Sequence, residues 1–240
     1  MLSPTPFPTE FFPFATANLA FKLCVPMCFI GWLVAYVLFI RLGFKEKTYG
    51  IPAIAMCGNV GWELTNSLLI YPAYLGIWLG QIMWVGFDVL VFVTIWKYGA
   101  SEIEREHAIL RRWFRWLIVL GVLTSMVLSL VFALHFHDPQ GTVAGWELAF
   151  VQSLMMIGML LRRGSTRGQS VYIALGIVIG NIAAYIWVAN YPWAPGQWPN
   201  PEPIVNLVWF LVTIPINITY VVLVIRQGRR DGVNPWKRYW

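Results

Sequence analysis

Residues Thr48–Pro72 read TYGIPAIAMCGNVGWELTNSLLIYP. A helix needs about 20 predominantly apolar residues to cross the hydrocarbon core of a bilayer, and residues 51–72 supply that length. Yet Glu63 stands near the centre of the run. Asn59 lies four residues before it, and Asn66 and Ser67 lie three and four after, so helical spacing places all four on one face. Intramembrane acids are rare, and they face a cavity or the interior of a helix bundle. The stretch therefore predicts a spanning helix whose polar stripe turns inward on a chamber. The rest of the chain has to supply the walls.

Of the 240 residues, 58% are hydrophobic and only 12% charged, and the mean hydropathy is +0.63. Soluble domains carry about 25% charged residues, so the composition is that of a polytopic membrane protein. Seven apolar stretches have spanning length, at about 20–41, 51–72, 75–96, 113–134, 142–161, 171–190 and 204–226. The short connections between them leave no room for a soluble domain, so residues 1–240 are expected to form a single all-α, seven-helix transmembrane domain. The N-terminal MLSPTPFPTEFFPF has neither the basic n-region nor the cleavage pattern of a secretory signal, and is expected to lie as an arm at the interface.

Every lysine and arginine except Lys22 follows an odd-numbered span. The positive-inside rule then places the C-terminus in the cytoplasm and the N-terminus on the extracytoplasmic or lumenal side, in an endoplasmic-reticulum or bacterial inner membrane. These basic collars account for the net charge of +6, so no nucleic-acid partner is implied. The segment 99–116 alternates acids and bases at helical spacing and predicts a short amphipathic helix at the lipid boundary. The opposite side carries YPWAPGQWPNPEP (191–203), expected to form an aromatic belt or lid. Cys24, Cys28 and Cys57 lie in apolar runs and read as small buried hydrophobes.

A faint internal repeat relates the first three spans to the last three. Thr48 precedes Asn59 by eleven residues, and Ser170 precedes Asn181 by eleven; Asp88 leads to Gly99 over the same length as Asn217 leads to Gly228. Both triplets begin on the same side, which predicts a parallel three-plus-one-plus-three arrangement.

Three acids fall within spans: Glu63, Asp88 and Glu147. Asp88 shares its face with Trp84 and Gln81, whereas Glu147 lies near the outer end of its span. Span seven adds Asn206, Thr213, Asn217 and Tyr220 on one face, and span six adds Asn181. Each amide or hydroxyl alone reads as glue between helices; together they outline one polar chamber. Trp32, Trp62, Trp84, Tyr185, Trp187 and Trp209 are candidates for its aromatic walls. Such faces can stabilise a cation by about 2 kcal/mol or more when desolvated. The last span has no lysine for a retinal Schiff base, no paired-aspartate diphosphate motif occurs, and no cysteine–histidine set could bind a metal.

The pattern TYG…A…C…N…WE…IYP at Thr48–Pro72 resembles the small seven-span terpene cyclases of fungal meroterpenoid and indole-diterpene pathways and their bacterial relatives. Gly145, Trp146 and Gln152, and the stretch RGSTRGQS from Arg163 to Ser170, agree with it. The resemblance implies a cyclase that uses no metal or organic cofactor. An acid protonates an epoxide or alkene of a lipophilic prenylated substrate, and the carbocation closes rings until it is quenched. It places the family's span-two acid on Glu63 and its span-seven acid on Asn217, which has no acidic proton. The internal repeat matches Asn217 to Asp88, so the second acid is expected at Asp88, with Asn217 as a hydrogen-bonding group. Desolvation disfavours the charged form of a carboxyl, which suits an acid in this setting to proton donation. Asn59, Asn66, Trp62, Trp84, Asn181, Tyr185, Trp209, Asn217 and Tyr220 are expected to bind substrate. Arg163 and Arg167 could contact a polar head group or serve as topology signals at lipid phosphates. The alternative reading is a small-solute or proton-coupled transporter with the same repeat; a scaffold protein would leave Glu63 unexplained.

Overall fold

A computed structural model describes residues 11, 17–72, 74–103, 107–136, 138, 141–191 and 203–238. The N-terminal arm and most of the segment 191–203 lie outside these. Seven α-helices and no strands are found among the described residues: α1 Leu19–Glu46, α2 Ala53–Leu64, α3 Leu75–Tyr98, α4 Ala108–His135, α5 Thr142–Arg163, α6 Val171–Ala189 and α7 Pro203–Arg230. Six of them, all but α2, are long and apolar enough to cross a membrane.

The helices begin and end where the local chemistry dictates. The Asn18 side chain caps α1 by accepting from Phe21 N–H, and Ser170 caps α6 through Ile173 N–H. Asp138 receives the N–H groups of Thr142, Val143 and Ala144, which would otherwise be orphaned at the start of α5. Gly164, left-handed at φ +57°, closes α5. Of the segment 99–116, Gly99–Glu102 form a 3-10 turn and the residues from Ala108 open α4; residues 104–106 lie outside the described ones. Ile109 and Trp116 there are 80% and 68% exposed, so the apolar face does turn outward.

The short helix α2 lies inside the bundle, against α3, α4 and α5. Small residues make this possible. Gly61 meets the Ser125 backbone of α4, and Gly121 of α4 meets Cys57. The outer face of α4 carries Leu120, Leu123, Val127 and Leu128, all more than half exposed. In effect α4 shields the polar helix α2 from lipid. α2 ends in a π-helical turn, Thr65–Leu69, closed by Ile70 N–H on Thr65 O. Thr65 Oγ1 donates to Gly61 O and Met126 O.

The most extensive seam joins α1 to α6. α3 packs on both α1 and α2, α7 packs on both α5 and α6, and α2 also meets α5. Below mid-height a core of Phe39, Leu42, Met56, Ile95, Met156, Leu160, Ile173 and Ile177 fills the bundle.

The end where α1, α3, α5 and α7 terminate is tied by polar contacts. Arg163 pairs with Glu102 at 2.7 Å, Thr48 donates to the same carboxylate, and Arg238 pairs with Glu46 at 2.7 Å. Asp231 accepts from Thr166 N–H and Oγ1, both at 2.8 Å, and from Gln227. Partial burial pushes the Asp231 carboxyl up, but these hydrogen bonds and the Arg238 charge outweigh it and hold it below its ordinary value of 3.8. A depressed carboxylate stabilises the fold above its unfolded value, and that contribution is lost as pH falls through its folded value. The melting temperature of detergent-solubilised protein should therefore drop on acidification below 3.8. Asp231→Asn should melt lower near neutral pH and lose part of that acid dependence; parallel acid profiles of the two proteins would refute this role.

Candidate active site

The chamber expected from the Glu63 stripe is present. A cavity of about 320 Å³ lies in the end of the bundle opposite the ionic contacts, bounded by α1, α2, α3, α5 and α6. Small-molecule sites occupy about 300–1,000 Å³. Its walls are mainly apolar and aromatic, with Phe29, Trp32, Trp62, Trp84, Trp146 and Trp187 among them. Phe21, Tyr74 and Tyr191 cluster with Trp187 at the outer end, and Asn18 donates to Asn190 there at 2.7 Å.

Glu63 lines the cavity and is only 5% exposed. Its Oε2 has no hydrogen-bond partner among the described residues. Burying an unpaired carboxyl oxygen is unfavourable, so this position costs the fold stability. Gln81 Oε1, likewise buried and unpartnered, lines the same cavity.

Asp88 is fully buried and does not line the cavity. Tyr36 Oη donates to its Oδ1 at 2.5 Å, and Asn59 Nδ2 reaches Oδ1 at 3.0 Å and Oδ2 at 2.9 Å. Asn59 also donates to Tyr36 Oη at 2.8 Å. Tyr36 and Asn59 both line the cavity. Asp88 thus stands one layer behind the wall, joined to it by two side chains. The Tyr36 ring packs on Trp84 at 5.2 Å and near Phe87 at 6.1 Å, which fixes the direction of its hydroxyl.

The other expected residues divide. Trp62, Trp84 and Asn181 line the cavity, with Trp62 Nε1 donating to Gly141 O at 3.0 Å. Asn66 does not: its Nδ2 folds back onto Trp62 O at 2.8 Å. The π-helical turn that begins at Thr65 breaks the register that would have carried the stripe onward. Tyr185 stacks on Phe210 at 4.3 Å and Trp209 packs on Phe150 at 5.7 Å, and neither lines the cavity. Asn217 lies behind Asn181, whose Nδ2 approaches its Oδ1 at 3.5 Å; Ser153 donates to the same oxygen at 3.1 Å. Tyr220 belongs to the packed core. Among the described residues none of α7 lines the cavity; α7 packs on α5 and α6. Arg163 and Arg167 are at the opposite end, bonded to Tyr49 O and Glu102 and to Glu46 O and Lys47 O respectively.

Three cavity residues carry no direct signal in the sequence. Tyr36 reads as an ordinary span aromatic, because its partner Asp88 is 52 residues away. Cys28 lines the cavity rather than the core. Gln152 also lines it; its place beside Gly145 and Trp146 in the GW…Q motif was the one available hint.

Among the described residues, no three His, Cys, Asp or Glu side chains gather in a way that could hold a metal ion.

Comparison with known proteins gives the chain its family. The profile of the Pyr4-like transmembrane terpene cyclases matches residues 7–230. The chain is 25% identical to the Pyr4-family terpene cyclase mfmH of Annulohypoxylon moriforme, over 82% of this chain and 81% of that one. It is 28% identical to the asnovolin H synthase nvfL of Aspergillus novofumigatus, over 77% and 76%. It is also 28% identical to the terpene cyclase atmB of Aspergillus flavus, over 68% of each. No solved structure matches. With its apolar helices and its aromatic, acid-bearing chamber, the chain belongs to the Pyr4-like transmembrane terpene cyclases, integral membrane enzymes that cyclise terpenoids.

Proposed function

We propose that this enzyme cyclises a lipophilic prenylated substrate drawn from the bilayer, and that Glu63 starts the reaction by protonating an epoxide or alkene of the chain. The observation that carries this reading is the unpartnered Glu63 oxygen in the wall of an aromatic cavity. Among the described residues, Glu63 Oε2 has no partner to hold a proton in place. The rings of Trp32, Trp62 and Trp84 surround the space where positive charge would develop, and a desolvated aromatic face stabilises a cation by about 2 kcal/mol or more. Asp88 serves as the second carboxyl of the site, and Asn217 acts only as a hydrogen-bonding amide behind Asn181. Arg163 and Arg167 hold the basic end together and take no part in binding. The chemistry draws on side chains alone, without metal or organic cofactor.

In this reading α2 and its π-helical turn cross the membrane as a seventh span, and the whole chain acts as one domain. The basic collars face the cytoplasm and the cavity opens in the lumenal or extracytoplasmic half. The parallel repeat is supported by matched packing, α3 on α1 and α2 and α7 on α5 and α6. The hydrogen bonds match too: Asn59 on Asp88 in one half, Asn181 on Asn217 in the other. A carrier built on such a repeat needs a pocket that opens to both water phases. Here the packed core below Tyr36 blocks one of them, which favours the cyclase.

Membranes containing the protein, incubated with a panel of prenylated and epoxyprenylated aromatics, should yield cyclised isomers of at least one. Recovery of every substrate unchanged would remove the proposal. Gly80 gives a test of the chamber itself. It lines the cavity, yet a Cβ placed there meets nothing within 4 Å. Gly80→Leu should therefore fill the chamber without disturbing the fold. Misplacing a substrate by about 1 Å can lower a rate by about 10²-fold, and a loss of that order in kcat/KM at unchanged melting temperature is expected. Wild-type kinetics in Gly80→Leu would mean that the substrate binds elsewhere.

A further inference from the structure

Resting on that reading, we propose that Tyr36 is the group that ends the reaction: it takes a proton from the final carbocation and passes its own hydroxyl proton to Asp88. Glu63 and Asp88 are placed for different tasks. Glu63 lines the cavity, and its buried Oε2 has no hydrogen-bond partner among the described residues. Asp88 has no surface on the cavity, and it accepts on both oxygens from Tyr36 and Asn59. A carbocation in the chamber cannot touch Asp88. It can touch Tyr36, which lines the cavity at the deep end of the α1 wall.

The step balances within the site. A C–H bond beside the cationic carbon breaks, and its electron pair becomes the π bond of the product alkene. The proton goes to Tyr36 Oη, while the Tyr36 O–H bond breaks and its proton moves 2.5 Å along the existing hydrogen bond to Asp88 Oδ1. Asn59, donating to Tyr36 Oη at 2.8 Å, holds the phenol in line. Glu63 loses one proton and Asp88 gains one, so substrate and product are isomers; the site resets after product leaves, when Asp88 gives its proton back through Tyr36 and Glu63 takes one up. Asn59 and Glu63 are one helical turn apart on α2, about 6 Å along the axis. The two stations therefore lie close enough for one substrate to meet both and far enough apart to act on different carbons. Asp88 on this view acts through Tyr36, as the proton's final acceptor.

The test compares product ratios from Tyr36→Phe, Asp88→Asn and wild type on one substrate that the wild type cyclises to an alkene. Tyr36→Phe keeps the ring and its packing and removes only the hydroxyl. Both variants should still consume substrate, while the alkene falls by about 10²-fold relative to water-captured alcohols and earlier-halted rings, the typical effect of losing a placed general base. A ratio of products does not depend on how much of a variant folds. Unchanged ratios in either variant would overturn the proposal, as would complete loss of substrate consumption by folded Tyr36→Phe. Failure of the underlying reading looks different: Glu63→Gln would then consume substrate at the wild-type rate.

Discussion

Glu63→Gln should lower the rate of cyclised product by about 10²–10⁴-fold, the range typical for removing a placed general acid. This corresponds to about 3–5 kcal/mol of lost transition-state stabilisation. Glutamine has nearly the shape of protonated glutamic acid and keeps a polar head in the same space. What it lacks is a proton acidic enough to open an epoxide or add to an alkene. The fold should tolerate the change, because Glu63 Oε2 makes no hydrogen bond that the amide would forfeit. Substitutions that break a buried network are costly, and none is broken here. The measurement is product formed per unit of folded protein, with thermal melts of both proteins run beside it. A variant that cyclised at the wild-type rate would show that the initiating proton comes from elsewhere, and Tyr36–Asp88 would be the first place to look.

Much of this arrangement can be read from the residues, and where it cannot the reason is physical. Long apolar runs are unambiguous, since only helices or closed barrels satisfy the backbone in lipid. Helices α3, α5 and α6 accordingly begin at residues 75, 142 and 171, where the apolar runs do. The far ends are less legible: α1 continues to Glu46 and α7 to Arg230. Helix geometry does not stop at the hydrocarbon boundary when basic side chains can reach water. The span around Glu63 differs most. It is a twelve-residue helix with a π-helical turn, a shape that apolar length does not encode.

Within the site, helical spacing placed Asn59 and Glu63 on a shared face, and both line the cavity. It failed for Asn66 one turn later, because spacing assumes 3.6 residues per turn and the π turn does not obey it. Position along a helix is legible, but the identity of the inward-facing helices is not. Asn217, Tyr220 and Trp209 share the polar character of the site yet sit on α7, none of whose described residues lines the cavity. Tyr36 is the converse case. A tyrosine among apolar residues carries no sign of a carboxylate waiting on another helix, and only the packing of α1 on α3 brings the two together.

The same dependence of the site on helix packing predicts that Gly31→Val will lower both melting temperature and activity. α1 and α6 approach so closely at Gly31 that an added Cβ would stand 2.7 Å from Gly180 N and 2.8 Å from Gly176 O. These are backbone atoms, which cannot swing aside as a side chain would. Gly176 and Gly180 lie four residues apart, the small-xxx-small spacing by which membrane helices bring their backbones together. Without a hydrophobic force between helices in lipid, that packing is the main attraction holding α1 to α6. Overpacking a close contact costs about 1–3 kcal/mol, and a clash against rigid backbone should reach the upper end of that range. The damage would not stay local, since the α1 residues Trp32 and Tyr36 and the α6 residue Asn181 form cavity walls beside this seam. A Cβ on Gly180 would itself strike the Trp32 ring, at 2.6 Å from Cδ1. Gly86→Ala is the control: it lies on the exposed side of α3, where a Cβ meets nothing within 4 Å, and it should leave melting temperature and product yield intact. Thermal melts in detergent, paired with cyclisation assays, separate the two outcomes. A Gly31→Val protein that melted with the wild type would mean that α1 and α6 are not held at this distance, and the wall that positions Tyr36 against Asp88 would have to be built differently.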